Sequence, residues 1–416
     1  MKRTNCMVCN SRNLYEFLDC GDQPNGNSFL YPSELDKEVT FPLAMMVCQD
    51  CWEVQISEFP PQEILFTDHP YITGVNAPVV KHFRQLAPHV IEKLGLQAND
   101  LVIDVGCNDG TLLKAFSSHG MRVLGVDPSE RPGKLARTQG VTVFQQFWNH
   151  ETGKSLRQLG IRPELIIATA VFYHVPDLHD FVAGLGEVMG PQSFFVVQGV
   201  NLLDLIKHTE FDHFYHEHSC IHSIAPLTNL FGQHGLRLQD VEFSPIHGGS
   251  FILYVCREEN PLPTTAAVAE AIAAERAAGL YELETYKAFT RRVDHNMSTL
   301  KGLLERLKEQ GKTVYALGAP VKGSTVLNYA KIGPDLVSKA TEVNELKFGR
   351  VTPGTHIPVV DESTVTDRPD YYLVLAWNFL DFLVGKFDDY LQSGGRFIVS
   401  VPEVRIVGPK GEFETV

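Results

Sequence analysis

The sequence predicts an α/β protein of three parts, and three observations lead there. Two passages, at residues 101–116 and 313–325, each read as a short apolar run, a glycine turn and the start of a helix. Ahead of both lie two C-x-x-C steps, Cys6 with Cys9 and Cys48 with Cys51, in a stretch of short strand patterns. The 416 residues suffice for two or three domains with large cores. The expected division is 1–70 for a small metal-held domain, 71–258 for a central α/β domain, and 259–416 for a helical connection and a second nucleotide-shaped α/β domain.

Composition narrows the partners. A net charge of −14 with 44% hydrophobic residues describes an ordinary soluble chain with no general affinity for nucleic-acid phosphates. No apolar run nears the roughly 18–20 residues that span a bilayer. Residues 1–5 lead straight into Cys6 without an apolar signal segment, so a cytoplasmic chain with no membrane partner is expected, most simply a monomer.

Two turns that each present a pair of thiolates can hold Zn²⁺ tetrahedrally, which makes Cys6, Cys9, Cys48 and Cys51 the expected ligands. A redox pair is the competing use, but two matched knuckles in a reducing compartment favour a metal. Four protein ligands leave no open coordination position, so the ion is structural. Residues 16–24 and 41–47 read as strands, 60–66 turn into a helix, and Tyr71 sits in a loop beside Thr73 and Gly74, where it could reach a ligand or serve as an exposed aromatic anchor, before a helix over 79–94.

The central passage runs from Leu101 through the turn Gly106-Cys107-Asn108-Asp109-Gly110 into a helix at Thr111. A second apolar run ends at Asp127, about 20 residues after the turn, where dinucleotide-type folds hold a ribose. A pyrophosphate needs G-x-G-x-x-G, and Asn108 breaks that pattern. Asp104 and Asp109 would repel a pyrophosphate but suit the sulfonium and amino-acid end of S-adenosylmethionine. The turn resembles motif I of the class I methyltransferases. The cofactor set expected from it is Asp104, Gly106, Asn108, Gly110 and Asp127, with Phe147 near the adenine.

Past Asp127 the rhythm continues with helices over 132–139 and 149–159 and strands over 141–144, 165–170 and 193–198. Open α/β sheets bind ligands beyond the C-terminal ends of their strands, which favours His174, Gln198 and Asn201. Residues 210–219 then crowd Glu210, Asp212, His213, Tyr215, His216, Glu217 and His218 together, a costly arrangement for a core. Two chemistries fit it: a histidine base, or a divalent ion on His213, His216, His218 and Glu217. His247 lies in a glycine-rich turn, 246–249, from which it could touch substrate.

After helical patterns over 265–310, a strand over 313–317 meets Gly318-Ala319-Pro320-Val321-Lys322-Gly323-Ser324. A helix N-terminus with Lys322 beside it is an anion site. A strand over 372–376 delivers Trp377 and Asn378 to the same rim, and Glu342 stands at the ribose-acid distance from Gly318.

The cysteine quartet, Asp104 to Gly110, Tyr173-His174-Val175-Pro176, Tyr215-His216-Glu217-His218, Ile246-His247-Gly248-Gly249, Gly318 to Gly323 and Ala376-Trp377-Asn378 together resemble the S-adenosylmethionine-dependent C-methyltransferases of nucleotide-linked deoxysugars, over essentially the whole chain and in order. The resemblance implies a zinc-bearing N-terminal domain, a class I methyltransferase domain, and a Rossmann-like C-terminal domain that helps hold the substrate. The implied reaction methylates C-3′ of a 4-keto sugar through an enolate. By motif match His218 is the base and Glu217 orients its ring, while Tyr215, Tyr71 and His174 hydrogen-bond the keto oxygen or nearby hydroxyls. Lys322, Ser324 and Asn378 would serve the diphosphate and its surroundings. The rival reading, an NAD-dependent oxidoreductase using the Gly318 turn on a nucleotide sugar, calls for a full G-x-G-x-x-G that Gly318-Ala319-Pro320 lacks.

Overall fold

The computed structural model describes residues 2–66 and 71–415, so the expected boundary at residue 70 lies outside the described residues. In the N-terminal part, Leu14–Pro24 pairs antiparallel with Thr40–Cys48, which pairs with Val54–Ile56. The fourth strand of that sheet, Cys220–Ile221, comes from the central part and pairs through Val54 with Ile221 and Gln55 with Cys220. Residues 215–218 directly precede this strand and are thereby pinned at the seam between the two parts.

The central sheet has seven strands in the order Leu236–Ser244, Ser250–Arg257, Phe194–Val200, Leu165–Thr169, Leu101–Val105, Arg122–Val126 and Thr142–Phe144. The last five are parallel to one another, and Ser250–Arg257 runs antiparallel to both its neighbours. Leu101–Val105 is buried at every position, as a parallel strand covered on both faces should be. The helix Ala77–Leu94 begins where Asn76 accepts the Val79 N–H and ends at Gly95 in the left-handed region. The strands and helices for which a range is expected fall within a few residues of it, whereas Val54–Ile56, Cys220–Ile221, the long hairpin at the edge of the central sheet, the helices Leu178–Val188, Leu202–His208 and Ile224–Gly232, and most outer strands of the third sheet have no expected range.

Helices Ala266–Ala277 and Leu283–Glu309 lead to a third sheet. Its order is Val359–Asp361, Ala340–Glu342, Val314–Leu317, Tyr371–Val374, Arg396–Val399, Arg405–Val407 and Phe413–Thr415, with the first five parallel. Phe17 from the first part, Phe214 from the second and Phe289 from the third meet with ring centroids 5.9–6.2 Å apart. One apolar core therefore fixes all three parts around the space between them. Among the described residues, no helix is long and apolar enough to cross a membrane.

Candidate active site

The four knuckle cysteines converge, with Sγ atoms of Cys6 and Cys51, and of Cys9 and Cys48, each 3.5 Å apart and all four within 4.8 Å of one another. Zn–S bonds of about 2.3 Å in a tetrahedron place sulfurs about 3.8 Å apart, so the set fits a tetrahedral ion. The backbone N–H of Val8 points at Cys6 Sγ, as a donor to a thiolate would.

At the first glycine turn, Gly106 has φ 74° and a Cβ there would lie 2.3 Å from Val171 Cγ2, so only glycine fits. Asp127 accepts the N–H groups of Asn108 and Ser129, each at 2.8 Å. Asp104 is 2% exposed and its Oδ1 has no hydrogen-bond partner among the described residues. Burial, then the charge of Asp127, pushes its carboxyl well above the usual range. A buried acid without a counter-charge is a place for a cationic group. Asn108, at φ 50°, turns its side chain outward: Oδ1 accepts the Thr73 N–H at 2.9 Å and Nδ2 donates to the Tyr71 carbonyl at 3.0 Å. With Asp109 accepting the Gly74 N–H, it straps residues 71–74 over the turn. Gly110 stands behind the turn and starts the helix Thr111–Ser118.

The turn opens into a cavity of about 580 Å³ in which all three parts of the chain meet. Asp104, Gly106, Asn108, Asp127 and Phe147 line it, as do Tyr71, His174, Tyr215, Glu217 and His218 and, from the C-terminal part, Lys322 and Asn378.

His218 is the hub of the aromatic residues among them. Its ring lies 3.9 Å from that of Tyr215, 4.5 Å from Tyr173 and 5.1 Å from His174, centroid to centroid. The ring hydrogen-bonds the His213 backbone, and its Nδ1 has no partner among the described residues. Burial, then the neighbouring His174 and His213, holds His218 well below the usual histidine value, so the ring is neutral with a lone pair available at neutral pH. Burial likewise keeps Tyr215 protonated, a hydrogen-bond donor.

Glu217 Oε1 accepts from Asn27 Nδ2 at 2.6 Å. Two expectations need correcting. Ser324 does not line the cavity: it is buried and its hydroxyl donates to the Gly26 carbonyl at 3.3 Å, joining the C-terminal and N-terminal parts. Among the described residues the divalent-ion alternative at 213–218 does not assemble, since His216 Nε2 meets the Phe41 carbonyl at 3.1 Å and His216 does not line the cavity. His247 has its backbone in a short turn, but its side chain lies outside the described residues.

Lys322 sits with Nζ 3.4 Å from His213 Nε2 and 4.4 Å over the Trp377 ring, whose Nε1 donates to Asp212 at 2.6 Å. Two further residues of the cavity, Asn27 and Lys347, were not legible as such. Asn25-Gly26-Asn27 is an ordinary turn composition, and Lys347 lies far in sequence from any motif. Lys347 Nζ donates to the Ala319 carbonyl at 2.8 Å and lies 3.5 Å from Glu342. Glu342 in turn accepts the N–H groups of Ala319, Val343 and Asn344. The ribose-acid position of the second turn is thus taken up by the chain itself.

Three family models match the chain: a zinc binding domain over residues 6–66, a methyltransferase domain over 80–241, and a C-methyltransferase C-terminal domain over 245–402. The chain is 32% identical over 404 residues to the C-methyltransferase NovU of Streptomyces niveus, covering 97% of this chain and 96% of that protein. It is 29% identical over 129 residues to a ubiquinone biosynthesis O-methyltransferase of Azorhizobium caulinodans, covering 30% of this chain and 47% of that one. Among solved structures, magnesium protoporphyrin IX methyltransferase from Synechocystis with bound SAM superposes with a TM-score of 0.33 at 20% identity, covering 43% of this chain and 81% of that chain. The full-length likeness to NovU, with all three domain models in order, shows that this chain belongs to the S-adenosylmethionine-dependent C-methyltransferases.

Proposed function

We propose that the chain transfers a methyl group from S-adenosylmethionine to C-3′ of a nucleotide-linked 4-keto-deoxysugar through an enolate. The observation that carries this reading is the single cavity onto which both the Asp104–Asp127 turn and the His218 cluster open. An unactivated carbon must lose a proton before it can attack a sulfonium methyl, and a ketone on the neighbouring carbon makes that proton acidic. A neutral, buried imidazole supplies the base and a tyrosine hydroxyl the donor for the developing oxyanion. His218 takes the proton, Tyr215 holds the keto oxygen, and Tyr71 and His174 contact neighbouring hydroxyls.

Asp104, Gly106, Asn108, Gly110, Asp127 and Phe147 form the cofactor side, Asp104 meeting the cationic amino-acid end and Asp127 the ribose. Lys322 and Asn378 serve the diphosphate side, where Lys322 and Lys347 are the cations that line the cavity among the described residues. The ion held by Cys6, Cys9, Cys48 and Cys51 is Zn²⁺, in a structural role. The test is a mass-spectrometric assay with S-adenosylmethionine and a panel of dTDP-, GDP- and CDP-linked 4-keto sugars. Gain of one methyl on one of them is expected; no methylation of any of them would overturn the sugar reading.

A further inference from the structure

C-methylation by a sulfonium leaves one proton behind. The C–H bond breaks and its electron pair forms the new bond to the methyl carbon, while the S–CH₃ pair stays on sulfur. On the reading above that proton rests on His218, which is 2% exposed and has to be neutral again before the next turnover. We propose that the proton leaves through His213 and Glu210 to His208 at the surface.

The groups stand in sequence. The His213 ring lies at 20° to that of His218 with centroids 6.0 Å apart, and both line the cavity; in the proposed first step a water entering the cavity carries the proton between them. His213 Nε2 is 3.5 Å from Glu210 Oε2. The other oxygen, Oε1, is 3.5 Å from His208 Nδ1. The side chain of His208 is 52% exposed where that of Glu210 is 3% exposed, so the last step crosses from interior to solvent. The backbone enforces this: His208 ends the helix Leu202–His208, and Thr209, at φ 56°, turns the chain so that the Glu210 N–H returns to the Leu205 carbonyl.

The surroundings suit a proton carrier. Burial, then the charges of Asp212 and Asp204, raises the Glu210 carboxyl out of its usual range against the opposing pull of Lys322, so it can accept a proton from an imidazolium and release it near neutral pH. Lys322 Nζ stands 3.4 Å from the same His213 Nε2, and a substrate phosphate drawing Lys322 away would clear that nitrogen for the proton. A Cβ at Gly248 would lie 2.7 Å from Glu210 Oε2, so a glycine there leaves the carboxylate its place. Each step moves one proton and no electrons, and the sum is one proton delivered to water per methyl transferred.

The test uses the zinc-bearing full chain and the nucleotide sugar that the wild-type enzyme methylates, with Glu210→Gln and, as a surface variant outside the packed interior, His208→Ala. Single-turnover methyl transfer should stay within about twofold of wild type, because His218 enters the first turnover unprotonated, while steady-state kcat falls about tenfold at low buffer. Added imidazole should restore kcat in both variants. Unchanged kcat, an equal loss in single-turnover and steady-state rates, or a loss that imidazole does not relieve would overturn the relay while leaving His218 as the base. A wild-type enzyme that methylates no nucleotide sugar would instead remove the reading on which the relay rests.

Discussion

After Leu101–Val105 the chain turns at Gly106 with φ 74°, and after Val314–Leu317 it turns at Gly318 with φ 78°. In each unit an acid from the end of a neighbouring parallel strand reaches the turn: Asp127 accepts the Asn108 N–H at 2.8 Å, and Glu342 accepts the Ala319 N–H at 3.1 Å. The difference lies in the next charge. At the second turn Lys347 donates to the Ala319 carbonyl and neutralises Glu342. At the first, a second acid, Asp104, lines the cavity with its Oδ1 unpartnered among the described residues. One supersecondary unit thus comes in two states, one with its acid paired to a lysine and one with a second buried acid beside it, and the difference lies in the side chains around the turn.

Substituting the glycines breaks this comparison most directly. Gly106→Ala would drive a methyl to 2.3 Å from Val171 Cγ2 and should weaken S-adenosylmethionine binding at least about 100-fold by calorimetry. Gly318→Ala meets its nearest neighbour only at 3.6 Å, so the added methyl fits and the strain of positive φ should cost about 1–2 kcal/mol of stability without changing cofactor affinity.

The next effect concerns the charges. Lys347→Met should cost about 3 kcal/mol at neutral pH by removing one partner of a buried pair. Burial alone would raise the Glu342 carboxyl, but Lys347 and three backbone N–H groups outweigh it and hold it below the usual range. A depressed carboxyl contributes stability that is present above its unfolded pKa and lost as pH falls through the folded one. The gap between variant and wild type in urea melts should therefore narrow on acidification. For Lys347 itself the sign is opposite, since burial lowers its pKa and its charged form is the strained one.

At the first turn the same logic sharpens the contrast. Burial raises the Asp104 carboxyl well above the usual range, so a cationic ligand that favours its ionised form should bind more tightly as pH rises through the raised pKa. Asp104→Asn should flatten that dependence and weaken binding about tenfold by calorimetry across pH. The smallest effects belong to the C-terminal rim: Lys322→Met should raise KM for the nucleotide sugar about tenfold, whereas Ser324→Ala should leave KM unchanged and cost about 1 kcal/mol through the lost bond to Gly26.

These contrasts also mark what could be read from the chain. Strand, turn and helix at 101–116 and 313–325 follow from apolar runs broken by glycine, which are local signals. The cysteine quartet follows from spacing, and the structure gathers it. His174 is singled out by its place beyond a strand end and Tyr215 and His218 by the crowding of 210–219; that their rings meet is seen only in the structure. What escaped depends on contacts between distant segments. Ser324 has the right place at a helix start, but Gly26, almost 300 residues away, takes its hydroxyl. Asn27 reaches Glu217 only because Cys220–Ile221 joins the N-terminal sheet, a pairing that no periodicity announces. Lys347 enters the second turn from a short helical segment that carries no motif.

The claim that unites the site is that the open turn delivers a methyl to a carbon whose proton His218 removes. The most direct test incubates wild-type enzyme and His218→Asn with S-adenosylmethionine and the accepted 4-keto sugar in D₂O, reading both methyl and deuterium by mass spectrometry. The wild type should add one methyl, and the variant should show neither methylation nor deuterium at the carbon beside the ketone, a loss of at least about 10³-fold. Deuterium exchange that persists in His218→Asn would contradict the account and move the base to another residue of the cavity, with His174 the nearest candidate.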